Sequence, residues 1–215
     1  MELRILDLEV FIQGTRILTG INGSLMSGQV TTLLGPNGSG KTTLIRTLLG
    51  DHDTRKGSLE VVDNQSKRRF DPHRFHLGFI PDEKMNMLIT GREYIYFINR
   101  FHKQTLDTHL LDALLDVYNM EKDIDRHMKY YSTGMTKKTY IIAALVHNPK
   151  ILLFDEPFTG LDPDMIIVTK KIIQQLKHLS RCILISSHQL GVVENITDGI
   201  FLLRNGKQTF FGEIE

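Results

Sequence analysis

The sequence predicts an α/β fold: a largely parallel sheet with helices on both faces. From Asn148-Pro149 onward, short apolar runs alternate with stretches of helical periodicity. Near the start, Val30–Leu34 is a short apolar run stopped by glycine and followed by a helical pattern, as a buried parallel strand requires. The chain has 215 residues, 41% of them apolar, enough to bury a core without covalent staples.

Taken in order, residues 2–10 and 17–26 alternate or cluster apolar residues as strands, and Val30–Leu34 is the third. Thr42 to Leu49 places its apolar residues at helical spacing and Gly50 ends it. Ser58–Val62 and Leu77–Ile80 read as strands, with the basic cluster Lys67, Arg68, Arg69 between them as a solvated loop. Residues 84–146 lose the strand pattern and read as an inserted helical subdomain in an otherwise single domain spanning 1–215. Its first core stripe is Tyr94, Phe97, Ile98 and Phe101, and its second is Leu106, Leu110, Ala113, Leu114 and Val117. After Asn148-Pro149, which stops a helix, come an Ile151–Phe154 strand, a Pro163–Leu179 helix, a Cys182–Ile185 strand, a short helix and a hairpin around Asn205-Gly206.

Composition removes several functions. Lys plus Arg number 26 against 25 Asp plus Glu, a net charge of +1, so no broad field attracts nucleic acid or anionic lipid. Cys182 is the single cysteine, which excludes an internal disulfide and a Cys-based zinc cluster and suits a reducing compartment. No apolar run reaches the ~20 residues of a membrane helix, and the start MELRILDLEVF has no basic region followed by a long apolar stretch. The expectation is a cytoplasmic chain that does not itself span a bilayer.

Gly35-Pro36-Asn37-Gly38-Ser39-Gly40-Lys41-Thr42 satisfies G-x-x-x-x-G-K-[ST], following an apolar strand and opening a helix. Its glycines let successive N–H groups point at phosphate oxygens, and the helix adds its positive dipole end. Lys41 supplies a point charge to the β and γ phosphates. Thr42 offers a hydroxyl to a bridging Mg²⁺, and Thr43 is placed to help with the α phosphate. Ile151–Phe154 then delivers Asp155 and Glu156 to the ligand crevice at the end of a buried strand. Asp155 is a metal ligand candidate; Glu156 would polarise an attacking water as general base. No [NT]-K-x-D element reads guanine, which disfavours a GTPase.

Three further strings narrow the choice: Tyr131-Ser132-Thr133-Gly134-Met135, Thr159-Gly160-Leu161-Asp162 and Ile185-Ser186-Ser187-His188. With these in order, the chain resembles the nucleotide-binding subunit of ABC transporters over essentially its whole length. The resemblance implies a P-loop ATPase of ABC type with N-terminal antiparallel strands. It also implies a head-to-tail dimer, identical or not, that clamps two ATP molecules between one subunit's phosphate loop and the other's signature. Ser132 can cap the helix that follows, leaving its hydroxyl, free N–H groups and the helix dipole to meet a γ phosphate beside Gly134. Asp162 would cross the dimer interface, and with Pro163 it also reads as a plain helix cap. His188 resembles the switch histidine that contacts the γ phosphate and orients water with Glu156. Phe11 stands where the family places an aromatic that stacks on adenine, and reads equally as a core strand residue.

Two departures from the family pattern stand out. The common L-S-G-G-Q is Tyr131 to Met135 here, and the usual glutamine after Leu77-Gly78-Phe79-Ile80-Pro81 is replaced by Asp82 and Glu83. Asp82 would approach Mg²⁺ through water, with a charge the glutamine lacks. These features resemble an exporter branch whose permease is a separate chain, so the expected partners are a transmembrane permease and a second ATP-binding subunit, with no nucleic acid. The permease would dock between the sheet core and the helical insert near Asp82–Gly91, with Met85 and Met87 as an adaptable surface or as incidental members of a loop. The rival readings are a soluble ABC-type ATPase acting on ribosomes or nucleic acid, and a non-catalytic nucleotide sensor.

Overall fold

In the computed structural model, which describes residues 1–63, 66–72, 75–84 and 87–213, the short apolar runs become strands of a ten-stranded sheet. The strands are β1 (Glu2–Ile12), β2 (Thr15–Met26), β3 (Gln29–Leu34), β4 (Thr54–Asp63), β5 (Ser66–Arg69), β6 (Leu77–Ile80), β7 (Ile151–Asp155), β8 (Cys182–Ser187), β9 (Gly199–Arg204) and β10 (Lys207–Glu213). Their spatial order is β5-β4-β1-β2-β10-β9-β3-β8-β7-β6. β6, β7, β8, β3 and β9 run parallel, while β1, β2, β4 and β5 form an antiparallel wing. The fold class read from the sequence is therefore the one observed.

Period-two alternation sends each parallel strand's side chains into two cores. Ile151, Leu153, Cys182 and Leu184 join Leu44, Ile45 and Leu48 of α1 (Lys41–Leu49) and the antiparallel wing on one face. Leu152, Phe154, Ile183 and Ile185 share a core with helices on the other. Between β6 and β7 come α2 (Gly91–Phe101), α3 (Thr108–Val117) and α4 (Thr133–Leu145), after β7 comes α5 (Pro163–His178) and after β8 α6 (Leu190–Val193). α1 stops where expected, with Gly50 in the left-handed region at φ 90° and its N–H returning to Arg46 and Thr47.

Three local expectations fail for physical reasons. The Lys67–Arg69 cluster is not a loop but the strand β5, paired antiparallel with β4 and exposed along its length. Backbone pairing makes it a strand, and Lys67 meets Glu60 at 2.8 Å. In α2 only Tyr94 and Ile98 of the expected stripe turn toward the core, with Ile95 beside them; Phe97 is 62% and Phe101 67% exposed. In α3 the buried face is Leu111, Leu114 and Leu115, continued by Tyr118, while Ala113 and Val117 are exposed. α3 is apolar on several sides, so spacing alone does not choose the face that packs.

The last hairpin braces the first. Thr19 N–H donates to the Gly206 carbonyl at 2.9 Å, and Gly206 N–H donates to the Ser39 carbonyl at 3.0 Å. Gly206 has φ 71°, and a Cβ there would stand 1.9 Å from the Ile17 oxygen. Any side chain would part β2 from the turn that holds Ser39.

Just before β6 and at the ends of α2 and α4, three imidazoles cluster. His102 lies parallel to His147 at 4.2 Å, with His76 edge-on to it at 6.1 Å. Burial, then the nearby His147 and His76, pushes the His102 pKa down to about 4. Between that value and the ordinary 6.5, the unfolded chain takes a proton that the folded chain refuses. The stability contributed is complete above pH 6.5 and is lost on acidification toward pH 4. Thermal unfolding at pH 5 should therefore begin a few degrees below that at pH 7.5, and His102→Phe should flatten the difference. The His147 pKa, also lowered by burial, leaves a residual slope.

Candidate functional site

The loop from Gly35 to Gly40 joins β3 to α1, with Pro36, Asn37 and Gly38 exposed and Ser39 buried. Gly40 is the N-cap of α1 at φ 106°, a conformation β-carbons resist. The first intrahelical bond is Leu44 N–H to the Gly40 carbonyl, so the amides of Lys41, Thr42 and Thr43 point out of the first turn. α2, α3, α4 and α5 each begin with a side-chain cap from Thr90, Asp107, Ser132 and Asp162, but α1 has none and no acidic residue in its first turn. Its dipole end is therefore available to an anion. Lys41 is buried, and its Nζ donates to the Gly35 carbonyl at 2.7 Å and the Pro36 carbonyl at 3.3 Å. The ammonium lies across the loop that the amides encircle.

β7 and β8 supply the acidic side. Asp155 is 2% exposed, with Oδ2 accepting from Thr42 Oγ1 at 2.8 Å and Oδ1 from Ser186 Oγ at 2.5 Å. Ser186 in turn accepts the Glu156 N–H at 3.0 Å. Glu156 has φ 46°, unusual for a residue with a β-carbon, and its Oε1 lies 2.9 Å from His188 Nδ1. On the far side of the ring, Gln189 Nε2 is 3.1 Å from His188 Nε2. The amide donates to Nε2, which places the imidazole proton on Nδ1, facing Glu156.

The donor set suits a phosphate-bound Mg²⁺. Among the described residues no cluster of three His, Cys, Asp or Glu is placed to hold an ion. The Thr42 hydroxyl with the Asp155 carboxylate is the hard-oxygen pair that Mg²⁺ uses when anion oxygens and water complete its shell. The buried Ser39 hydroxyl has no hydrogen-bond partner among the described residues, which leaves a polar group in the loop for a ligand to satisfy.

The remaining candidates lie apart from this cluster. Ser132 accepts the Met135 N–H at 3.1 Å as the cap of α4. Gly134 packs against Gly160, where a Cβ would come 2.8 Å from the Gly160 oxygen. No hydrogen bond among the described residues joins either to the phosphate loop. Asp162 caps α5 by accepting the Met165 N–H at 2.9 Å, with Pro163 in the first turn. Asp82 is half-exposed and pairs with Lys137 at 3.8 Å rather than with Thr42 or Asp155. Phe11 is half-buried on β1 with the Arg55 guanidinium 4.9 Å from its ring centroid.

The family described as ABC transporter matches residues 18–159. The chain belongs to the ABC transporter family. It is 32% identical over 207 residues to "Uncharacterized ABC transporter ATP-binding protein YdbJ" of Bacillus subtilis (strain 168), covering 95% of this chain and 67% of that protein. It is 32% identical over 131 residues to "ABC transporter ATP-binding protein NatA" of the same organism, covering 59% of this chain. The matched part spans about half (52%) of the length of NatA. A solved structure titled "Structure of ATP binding subunit of ABC transporter" superimposes with TM-score 0.88 at 25% identity, over 100% of this chain and 90% of that one. The ABC transporter fold thus accounts for both the parallel sheet and the antiparallel wing.

Sequence reasoning assigned no role to Ser186, Gln189 and Lys137. Ser186 stood in a quoted string, but its contact needs the β7–β8 register, which sets Asp155 opposite Ser186. Ser186→Ala should leave a buried carboxylate oxygen and the Glu156 amide without their partner. The expected loss is about 1–3 kcal/mol of stability, read as a lowered urea midpoint with unchanged slope.

Proposed function

We propose that the chain is the ATP-binding and ATP-hydrolysing motor subunit of an ABC transporter, pairing with a second such subunit on ATP to drive a separate permease in the direction of export. The observation that carries the reading is the unbroken run of hydrogen bonds from Thr42 through Asp155, Ser186 and Glu156 to His188, beside the uncapped α1. Lys41 and the loop amides bind the β and γ phosphates. Thr42 and Asp155 hold Mg²⁺, which when bound draws negative charge off the phosphates and positions them. Glu156 takes the proton of the attacking water, and His188, held by Glu156 and Gln189, orients it.

A second subunit completes the site, because the cap of α4 lies by Gly160 and not at its own phosphate loop. Ser132 and Gly134 would meet the γ phosphate from that partner, and Asp162 would face the same interface. Phe11 offers a flat surface for adenine. The export direction rests on the resemblance of the Asp82-Glu83 and Tyr131–Met135 segments to exporters.

No described helix is long and apolar enough to cross a membrane; the resemblance to the exporter branch supports a separate permease that holds this chain at the inner face. Its docking surface is supported by a cavity of about 480 Å³ lined by Phe75, Phe79, Ile98, Phe101 and His102. Leu88 and Phe97, 74% and 62% exposed, lie on the neighbouring segment and helix. Of the expected methionines, Met85 lies outside the described residues and Met87 is partly buried against the helical core.

Glu156→Gln should bind Mg-ATP, accumulate as a dimer on size exclusion, and hydrolyse at least about 100-fold more slowly. Unchanged turnover overturns the general-base assignment; no nucleotide binding by the wild-type protein overturns the reading itself. Separately, Leu88→Glu with Phe97→Glu should abolish co-purification with the permease while leaving Mg-ATP binding intact. Retained co-purification defeats the docking surface.

A further inference from the structure

Lys137 sits within α4 and is 2% exposed, yet the nucleotide-binding reading gives it no task. Its Nζ donates to the Pro81 carbonyl at 2.9 Å and stands 3.8 Å from Asp82 Oδ1. A second lysine answers from the other side: Lys84 Nζ donates to the Tyr131 carbonyl, just before the Ser132 cap. Backbone bonds extend the join, with Met128 N–H to the Ile89 carbonyl at 2.9 Å and Lys129 N–H to the Met87 carbonyl at 3.2 Å. The segment after β6 and the start of α4 are thus clasped by two lysines reaching in opposite directions.

A buried ammonium costs several kcal/mol unless carboxylates face it. Burial lowers the Lys137 pKa, and the negative charges of Asp82, Asp155 and Glu156 oppose that effect. Of the three, Asp82 is the carboxylate in direct reach, at 3.8 Å. Lys138, the next residue on α4, is half-exposed and makes no recorded contact with them.

We infer that Lys137 is the internal counter-ion of the Asp82 carboxylate, a positioning residue that holds Asp82 to α4 and balances the charge against which Mg²⁺ and nucleotide bind. It acts through Asp82 and touches no substrate. The inference rests on the nucleotide-binding reading of the preceding subsection.

The test is a charge cycle read by calorimetry and thermal unfolding. Lys137→Met removes one positive charge of matching volume, so ATP binding in EDTA should weaken about tenfold while the half-saturating Mg²⁺ concentration falls. Asp82→Asn should shift both quantities the opposite way. The double variant should return both to within about twofold of wild type, and the Lys137→Met melting temperature should fall, because removing one member of the pair leaves the Pro81 carbonyl without its donor and the Asp82 carboxylate without its partner. If the two single variants move the quantities in the same direction, or the double variant keeps the full Lys137→Met defect, the counter-ion role is wrong and Lys137 only anchors the helix. Should Lys137→Met not fold, Lys137→Gln, which keeps a donor for Pro81, carries the same comparison. Wild-type protein that takes up no ATP with or without Mg²⁺ defeats the nucleotide reading instead, a result separable from binding without opposed shifts.

Discussion

The Asp155 carboxylate is the point on which the architecture of the site turns. A buried carboxylate is tolerated only where donors replace the water it has lost, and here the donors come from two different elements. Thr42 reaches it from the first turn of α1, and Ser186 reaches it from the end of β8. Because Ser186 also accepts the Glu156 amide, one short network fixes the spacing of phosphate loop, acidic strand and histidine strand. The parallel register of β7 and β8 is what allows it, since a slip of one residue would turn Ser186 to the other face.

A second theme is how the protein distributes helix ends. α2 through α5 satisfy their first amides with their own side chains, and α2 adds the reciprocal Thr90–Glu93 capping box. Such caps are worth about 1 kcal/mol each. α1 forgoes that stability, and a left-handed glycine turns its amides outward. Ser132 combines both roles: its oxygen is occupied by Met135, while the hydroxyl hydrogen stays free to donate.

Most of the fold was legible because its signals are local. Ile151–Phe154 announces itself as an uninterrupted apolar run and Val30–Leu34 as a short run around two threonines, and glycines and prolines mark where helices stop. The phosphate loop, Asp155, Glu156 and His188 were equally visible, since each ends a strand or opens a helix. What spacing hid was anything decided by a neighbour in space. β5 has two wet faces and hence no alternation to read. In α3 the sequence offers Leu110, Leu111, Leu114 and Leu115 on adjacent sides, and packing alone selects Leu111, Leu114 and Leu115 for full burial. Phe97 and Phe101 keep a helical period, yet both stay mostly exposed among the described residues. Lys137 reads as a surface lysine between Thr136 and Lys138; its burial depends on Pro81 and Asp82, far away in sequence.

The Asn205-Gly206 turn carries none of the nucleotide motifs, yet it holds Ser39 by its amide and β2 by its carbonyl. Both extremities of the fold are thereby stitched to the same few atoms behind the phosphate loop. A geneticist mapping inactivating alleles would meet the glycine of this closing hairpin among the hits and assign it to nucleotide capture, although it never meets the ligand. Selection on that turn is selection on the loop it supports, transmitted through two peptide groups.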